Sequence, residues 1–332
     1  MFCNRLTGSS QRRHNFHNLS LAHAGILHYH SKLSFGIFPI DIMEIRTTRP
    51  MSTIRQTILC PACRRLISRD EKTCPWCGAS HPGAWWRRGF GLLSGDNPQI
   101  AIKVLISINV GMYLISLLLT IDMPGHSRGM FGSLTPSPNS LFLLGATGTL
   151  PVLQAGRLWT LVNAGYLHGG FFHILFNMMA LYQLIPLTAR EYGTSRTIVI
   201  YSFAGLSGFL VSVFAGIPFT IGASAPVCGL IGALFYYGKS RGGRWGEAVS
   251  REVMGWIIGL FLFGMLLPGI NNWGHAGGIL GGALAGFVLR YRERQQETIV
   301  HQSLAVVCAL VTLLCLGWGL TDAALAFLWS GT

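Results

Sequence analysis

Four polar residues stand within or beside otherwise apolar stretches of the chain: Ser224, His275, His173 and Asn177. A serine hydroxyl is a weak nucleophile until a positioned base accepts its proton, and histidine is the most common base. His173 and Asn177 are four residues apart, so on a helix they share a face and could donate to one developing negative charge. Together these residue types favour acyl transfer at a serine. Taken singly, they are more typical of helix packing in membranes.

Four cysteines form a second candidate site. Cys60 and Cys63 make one Cys-x-x-Cys pair, and Cys74 and Cys77 make another ten residues later. Two such pairs can place four thiolates tetrahedrally around zinc, which predicts a zinc ribbon over residues 56–82. A redox pair or a chance cluster is the alternative. A ribbon of this size would need its metal to fold, and the cluster indicates a reducing compartment.

We expect membrane helices to position the four polar residues Ser224, His275, His173 and Asn177. Half of the 332 residues are hydrophobic and only 11% are charged, whereas soluble proteins have about 25% charged residues. We therefore expect an all-α polytopic membrane protein in the lipid bilayer. The net charge of +13 is not spread along one basic face, so no nucleic-acid partner is expected. The predicted spans are residues 100–121, 170–188, 197–216, 220–238, 253–269, 274–289 and 303–325.

Basic residues flank these spans on one side, which predicts a cytoplasmic N-terminus. We expect a multi-pass protein of a bacterial cytoplasmic membrane. Residues 1–55 are interpreted as a disordered basic tail or an over-extended gene start, and 83–99 as an interfacial linker. We expect the spans to contain no Asp or Glu, so that a serine and a histidine would act as a dyad.

Ser224 and His275 are predicted to lie at one depth. Each is fifteen residues from a basic residue at the inner end of its span, Lys239 or Arg290, which is roughly 22 Å along a helix. Two prolines interrupt residues 216–226, so we expect the fourth helix to begin near Ser224. Irregular backbone at this depth requires burial in protein or contact with water.

Three ordered motifs resemble those of the rhomboid intramembrane serine proteases. Residues 222–225 read Gly-Ala-Ser-Ala, residues 275–278 read His-Ala-Gly-Gly, and residues 168–177 begin with His168 and contain His173 and Asn177. The resemblance covers residues 100–290, a predicted six-helix catalytic domain, and leaves residues 303–325 as a seventh, additional helix. The resemblance implies a protease that needs no catalytic cofactor, so a zinc ion in the ribbon would be structural.

The resemblance assigns roles to these residues. Ser224 would attack a peptide carbonyl and His275 would transfer the proton. The oxyanion and substrate would be bound by His168, His173, Asn177, Gly222 and the Ser224 backbone N–H. The implied partners are transmembrane protein substrates cut near the outer face of the membrane, whereas any partner of the ribbon is unknown.

Three residues depart from the family pattern. Ala225 replaces a glycine, Thr160 follows Trp159 where an arginine is common, and Cys228 stands where an aromatic residue often stacks on the histidine. These departures from the family pattern favour a reduced catalytic efficiency of the protease. Two alternatives remain: an inactive relative that binds transmembrane helices without cutting them, and a transporter of small solutes.

Overall fold

The structure is a computed structural model that describes residues 57–60, 65–78, 81–83, 98–120, 134–267, 269–295 and 297–330. Its main body is helical. The helices are α1 Pro98–Leu118, α2 Pro138–Leu144, α3 Thr160–Asn163, α4 Phe171–Tyr192, α5 Thr194–Phe214, α6 Ser224–Arg241, α7 Gly243–Leu266, α8 Asn272–Leu289 and α9 Ile299–Ser330. Residues 1–55, and with them the predicted tail, lie outside the described residues.

Five of these helices (α1, α4, α5, α7 and α9) are long and apolar enough to cross a membrane. Together with the family match reported below, they make the protein an integral membrane protein. Helices α6 and α8 have 18 residues each and are not among these five candidates. They are also the fourth and sixth predicted spans, so a total of seven spans remains a prediction.

Helix α6 lies at the centre of the bundle. It packs against α4, α5, α7 and α8, and its most extensive contacts are with α8. Most of its residues are buried by protein, so α6 needs little apolar surface of its own to face lipid. This burial explains why a central helix has a weaker hydrophobic signal than the helices around it.

Small residues bring α6 and α8 into close contact. A Cβ atom added to Gly278 would meet the carbonyl oxygen of Ala225, and one added to Gly282 would meet the backbone of Gly229. A Cβ on Gly232 would meet the backbone of Ile279. The two helices that carry Ser224 and His275 therefore approach at backbone distance over several turns.

A long loop precedes α4, and its described part, residues 134–170, is called the long loop below. It contains α2, a π-helix over Leu150–Gln154, α3, and a 3-10 helix over Ala164–Tyr166. Thr147 and Thr220 form an isolated antiparallel bridge, which ties this loop to the segment before α6. The long loop and α6 thus share backbone hydrogen bonds close to Ser224.

A small hairpin lies in the predicted ribbon. Strands β1 (Thr57–Leu59) and β2 (Leu66–Ser68) pair antiparallel with Ile58 opposite Ile67. Its core consists of Cys60, Ile67 and Cys74. Among the described residues of the ribbon, a core of this size cannot offset the entropy lost on folding, which agrees with a hairpin that depends on a metal.

Helix α7 begins at Gly243, before the apolar span expected at about 253–269. Its polar first half places Gly246, Val249 and Val253 on one buried helical face. One expectation from the sequence is wrong, namely that the spans lack carboxylates. Asp322 lies within the predicted seventh span, near the end of α9, where it pairs with Arg157 rather than with His275.

Candidate active site

Helix α6 begins at Ser224 because the preceding residues cannot continue a helix. Gly222 has φ = 123°, a conformation that residues with a Cβ rarely adopt. Its N–H donates to the carbonyl of Ala164 (2.8 Å), so the long loop holds this turn. Pro226 then occupies the first turn of the helix, where its missing N–H has no cost. The serine side chain is thereby fixed at a helix N-terminus.

His275 reaches Ser224 from the first turn of α8. Its Nε2 lies 2.9 Å from Ser224 Oγ, a hydrogen-bond distance between an imidazole and a hydroxyl. Both residues are partly accessible. The other ring nitrogen of His275, Nδ1, is buried and has no protein partner in the described part of the chain. Within the described residues, Ser224 and His275 therefore form a hydrogen-bonded pair with no carboxylate at Nδ1.

Asn271 connects the starts of the two helices. Its Oδ1 caps α8 by accepting from the Gly274 N–H (3.0 Å). Its Nδ2 donates to Thr220 Oγ1 (3.0 Å) and to Ser212 Oγ (2.7 Å). One side chain thus fixes the segment before Ser224 relative to the helix that carries His275. Sequence reasoning missed it, although asparagine is a preferred N-cap residue.

His173 is oriented as a donor toward the serine. The Gly169 N–H donates to its Nδ1 (3.4 Å), so the hydrogen of the neutral ring lies on Nε2. A Cβ atom added to Gly222 would lie 2.6 Å from that Nε2 and 3.6 Å from Ser224 Oγ. The Nε2–H and the hydroxyl therefore border one small space, which remains open because residue 222 is glycine.

Asn177 and His168 complete the predicted set. Asn177 is buried one turn further along α4, and its Nδ2 donates to the carbonyl of His173 (2.9 Å). His168 is fully buried, and its ring meets that of His173 edge-on at 5.0 Å. Asn177 thus supports α4 and His168 supports the His173 ring.

The arrangement can stabilise an oxyanion. Ser224 is the first residue of α6, so its N–H has no acceptor within the helix and lies at the positive end of the helix dipole. The His173 Nε2–H approaches the same space from α4. Two donors beside a serine that is hydrogen-bonded to a histidine form the geometry that acyl transfer needs.

The three departures have visible consequences. Ala225 and Cys228 are buried where α6 meets Gly278 of α8, so small side chains at both positions suit the close packing. Thr160 is buried and donates to Thr147 Oγ1 (3.1 Å). Arg157, three residues earlier, donates to the carbonyls of Phe142 (2.8 Å) and Leu143 (3.1 Å). An arginine therefore does anchor the long loop, although it is not at position 160.

An apolar cavity of about 530 Å³ reaches the histidine from the side of the bundle. It lies between α7 and α8, which make few contacts with each other. Ile257, Phe261, Trp273 and Ile279 are among its lining residues, together with His275. Such a cleft suits an apolar segment that arrives through the lipid.

The predicted metal ligands are brought together as far as the structure describes them. The Sγ atoms of Cys60, Cys74 and Cys77 lie within 4.8 Å of one another, and those of Cys60 and Cys77 are 3.8 Å apart. Four sulfurs at 2.3 Å from a tetrahedral zinc stand about 3.8 Å apart, so the spacing fits a zinc site. Cys63, the fourth expected ligand, lies outside the described residues.

Comparison with known proteins identifies the family. The model of the rhomboid domain matches residues 155–292, which include Ser224, His275, His173 and Asn177. The Rhomboid protease GluP of Bacillus subtilis is 34% identical over 139 residues, which are 42% of this chain and 27% of that protein. RHOMBOID-like protein 4 of Arabidopsis thaliana is 32% identical over 48% of this chain and 41% of its own length.

A third relative is Rhomboid-like protease 5 of Toxoplasma gondii, which is 30% identical over 46% of this chain and 19% of its own length. The chain spans between about a fifth and two fifths of the length of these three curated relatives. From the domain match and these relatives, we conclude that residues 155–292 of this chain form a rhomboid domain.

Proposed function

We propose that this protein is an intramembrane serine endopeptidase that cleaves transmembrane proteins with the dyad of Ser224 and His275. The observation that carries this proposal is the 2.9 Å contact between His275 Nε2 and Ser224 Oγ, beside the Nε2 of His173. Two relatives that are named as proteases support it.

The chemistry follows from the positions of these atoms. Ser224 Oγ adds to the carbonyl carbon of the scissile bond while its proton moves to His275 Nε2. The oxyanion accepts from the Ser224 N–H and the His173 Nε2–H, with Asn177 as a further donor on the same face of α4. His275 then protonates the departing amine, which leaves an ester on Ser224. Water attacks this ester, giving up its proton to Nε2 and releasing the second product.

A dyad requires more of its surroundings than a triad does. With no carboxylate at Nδ1, the imidazolium that forms during attack is stabilised only by the local field and by the oxyanion itself. We therefore expect the donors at the oxyanion to supply much of the lowering of the barrier. Each such donor is typically worth about 2.7 to 4 kcal/mol.

We propose that substrates reach the dyad through the apolar cleft between α7 and α8. A transmembrane helix must unwind locally before its backbone carbonyl can contact Ser224, because helical carbonyls are already hydrogen-bonded. Helix-breaking residues near one end of the substrate helix would lower that cost. With the ribbon in the cytoplasm, as charge distribution favours, the cut would lie near the outer face of a bacterial cytoplasmic membrane.

The alternative is a relative that binds transmembrane helices without cutting them. Cleavage by purified protein in liposomes distinguishes the two, with single-span substrates that carry either a Gly-Pro break or an uninterrupted Leu helix near the outer face. We expect products from the first substrate only, and none from Ser224→Ala. Intact substrate in every sample, with substrate still co-purifying, would identify the inactive relative instead.

We also propose that residues 56–82 bind one structural zinc through Cys60, Cys63, Cys74 and Cys77. The close thiols and the very small core of the hairpin support this proposal. Thiolates release their protons on binding zinc, so the free energy of binding becomes free energy of folding. The dyad needs no metal, so we expect loss of zinc to unfold the hairpin without removing the catalytic groups.

A further inference from the structure

Helix α9, which lies beyond the matched rhomboid domain, makes an unusually close contact with the long loop. A Cβ atom added to Gly319 of α9 would lie 2.5 Å from Asn163 Nδ2, 2.8 Å from the Leu144 carbonyl oxygen and 2.9 Å from the Trp159 ring. Gly317, on the same helix, has nothing within 4 Å of such an atom. The backbone of α9 therefore packs closely against the long loop at Gly319.

An ion pair fixes the same contact. Arg157 of the loop and Asp322 of α9 are joined at 2.6 Å, one turn beyond Gly319. The Arg157 guanidinium also lies 4.7 Å from the ring centres of both Phe142 and Trp159. Its side chain is 14% exposed, so the arginine is largely removed from solvent. A charge in that setting depends on its carboxylate partner and on the carbonyls to which it donates.

The loop, in turn, holds the segment that leads to the nucleophile. Thr160, three residues after Arg157, donates to Thr147 Oγ1, and Thr147 exchanges backbone hydrogen bonds of 2.7 and 3.0 Å with Thr220. The Ala164 carbonyl, one residue after Asn163, accepts from the Gly222 N–H. Contacts of α9 are thus connected to the turn before Ser224 through a short series of hydrogen bonds.

The other end of α9 is fixed as well. The fully buried Arg196 at the start of α5 donates to the carbonyl oxygens of Arg290 and Gln295 in the segment before α9. Glu297 accepts from the backbone N–H groups of Ser195 (2.9 Å) and Arg196 (3.2 Å). Helix α9 is therefore attached to the bundle at both ends.

We propose that α9 is a positioning element of the active site, in which Gly319 and the pair of Asp322 with Arg157 hold the long loop, and through it the turn from Thr220 to Ser224, in the reactive geometry. This proposal rests on the proposed protease function. It assigns to the additional helix a role in the rate of the reaction, beyond anchoring the chain in the bilayer. Asp322 and Arg157 act through the loop and do not touch the reacting atoms.

The test compares Gly319→Leu with Gly317→Leu, which adds the same side chain two residues away where nothing lies in its path. The rate of labelling by a fluorophosphonate and the values of kcat and KM on one substrate are measured for both. We expect Gly319→Leu to lower kcat and the labelling rate on the order of 10- to 100-fold, as small displacements of reacting groups do. KM should change little, and Gly317→Leu should match the wild type. Equal rates for the two variants would overturn the proposal.

A second pair of variants, at Asp322, tests the proposal if Gly319→Leu does not fold. Asp322 is 45% exposed, so Asp322→Asn removes the charge without leaving a cavity. We expect Asp322→Asn to slow labelling and Asp322→Glu to restore it, because a carboxylate can still reach Arg157. A merely structural helix would give equal labelling rates in all three proteins at equal thermal stability, and that result would exclude the positioning role.

Hydrogen–deuterium exchange separates this proposal from the protease assignment. Measured in a Ser224→Ala background, it does not depend on activity. We expect Asp322→Asn and Gly319→Leu to raise exchange in residues 142–166 and 217–223, and Gly317→Leu to leave it unchanged. An unlabelled wild type with this exchange pattern would reject the protease but keep the coupling, whereas labelled protein with unchanged exchange would reject the coupling alone.

Discussion

Replacing Gly222 with alanine tests the geometry of the site directly. The new Cβ would lie 2.6 Å from His173 Nε2, so the ring or the turn must shift by about 1 Å to restore van der Waals contact. A shift of that size in a reacting group costs about 10²-fold, and complete loss of one oxyanion donor costs about 10²- to 10³-fold in kcat. We expect a loss of kcat within these bounds.

Gly216→Ala is the matched control. Gly216 also has a positive φ, 78°, but nothing lies within 4 Å of an added Cβ. Both variants therefore share a backbone penalty of about 1 to 3 kcal/mol, whereas only Gly222→Ala displaces His173. The assay is initial-rate cleavage of one transmembrane substrate in liposomes, with thermal stability measured on the same samples. Equal kcat for the two variants would refute the role given to His173.

Three further predictions follow from single contacts. Asn271→Ala should lower the free energy of unfolding by about 0.5 to 2 kcal/mol, because the cap of α8 is lost. It should also slow fluorophosphonate labelling of Ser224 by more than the change in Tm explains. Labelling at the wild-type rate would contradict the positioning role of Asn271. Gly282→Ala should lower the free energy of unfolding by about 1 to 3 kcal/mol through overpacking against α6, while Gly255→Ala, whose Cβ meets nothing, should not; equal Tm values would contradict the close helix contact. Purified protein should contain one zinc per chain, lost on replacing Cys60 and Cys74; iron, or no metal in a reduced sample, would refute the ribbon.

The residues of the candidate site could be predicted from the sequence because they are polar residues in otherwise apolar stretches. Ser224 and His275 were expected at one depth, and the structure brings them to hydrogen-bond distance. This works because helical rise is uniform, so residue counts from basic anchors translate into height. The rotation of each helix cannot be counted in this way, and here it is set by glycine contacts such as Gly278 on Ala225.

The supporting residues were not found from the sequence, for two physical reasons. Asn271 could have been proposed from the sequence as the N-cap of α8, but its side-chain bonds to Ser212 and Thr220, more than fifty positions away, leave no local signal. Arg157 and Asp322 are separated by 165 positions, and each alone resembles a residue at a membrane interface. The start of α7 could not be predicted from the apolar run, because polar residues continue the helix before it. Apolar runs report burial in lipid rather than backbone conformation.

The central claim is that Ser224 is a nucleophile activated by His275. The most direct measurement is mass spectrometry of the folded protein after treatment with a fluorophosphonate, which phosphonylates activated serines. We expect one adduct, on the peptide that contains Ser224, no adduct in Ser224→Ala, and labelling slowed at least about 10³-fold in His275→Ala. A folded wild type without an adduct, or an adduct that persists in Ser224→Ala, would contradict the account.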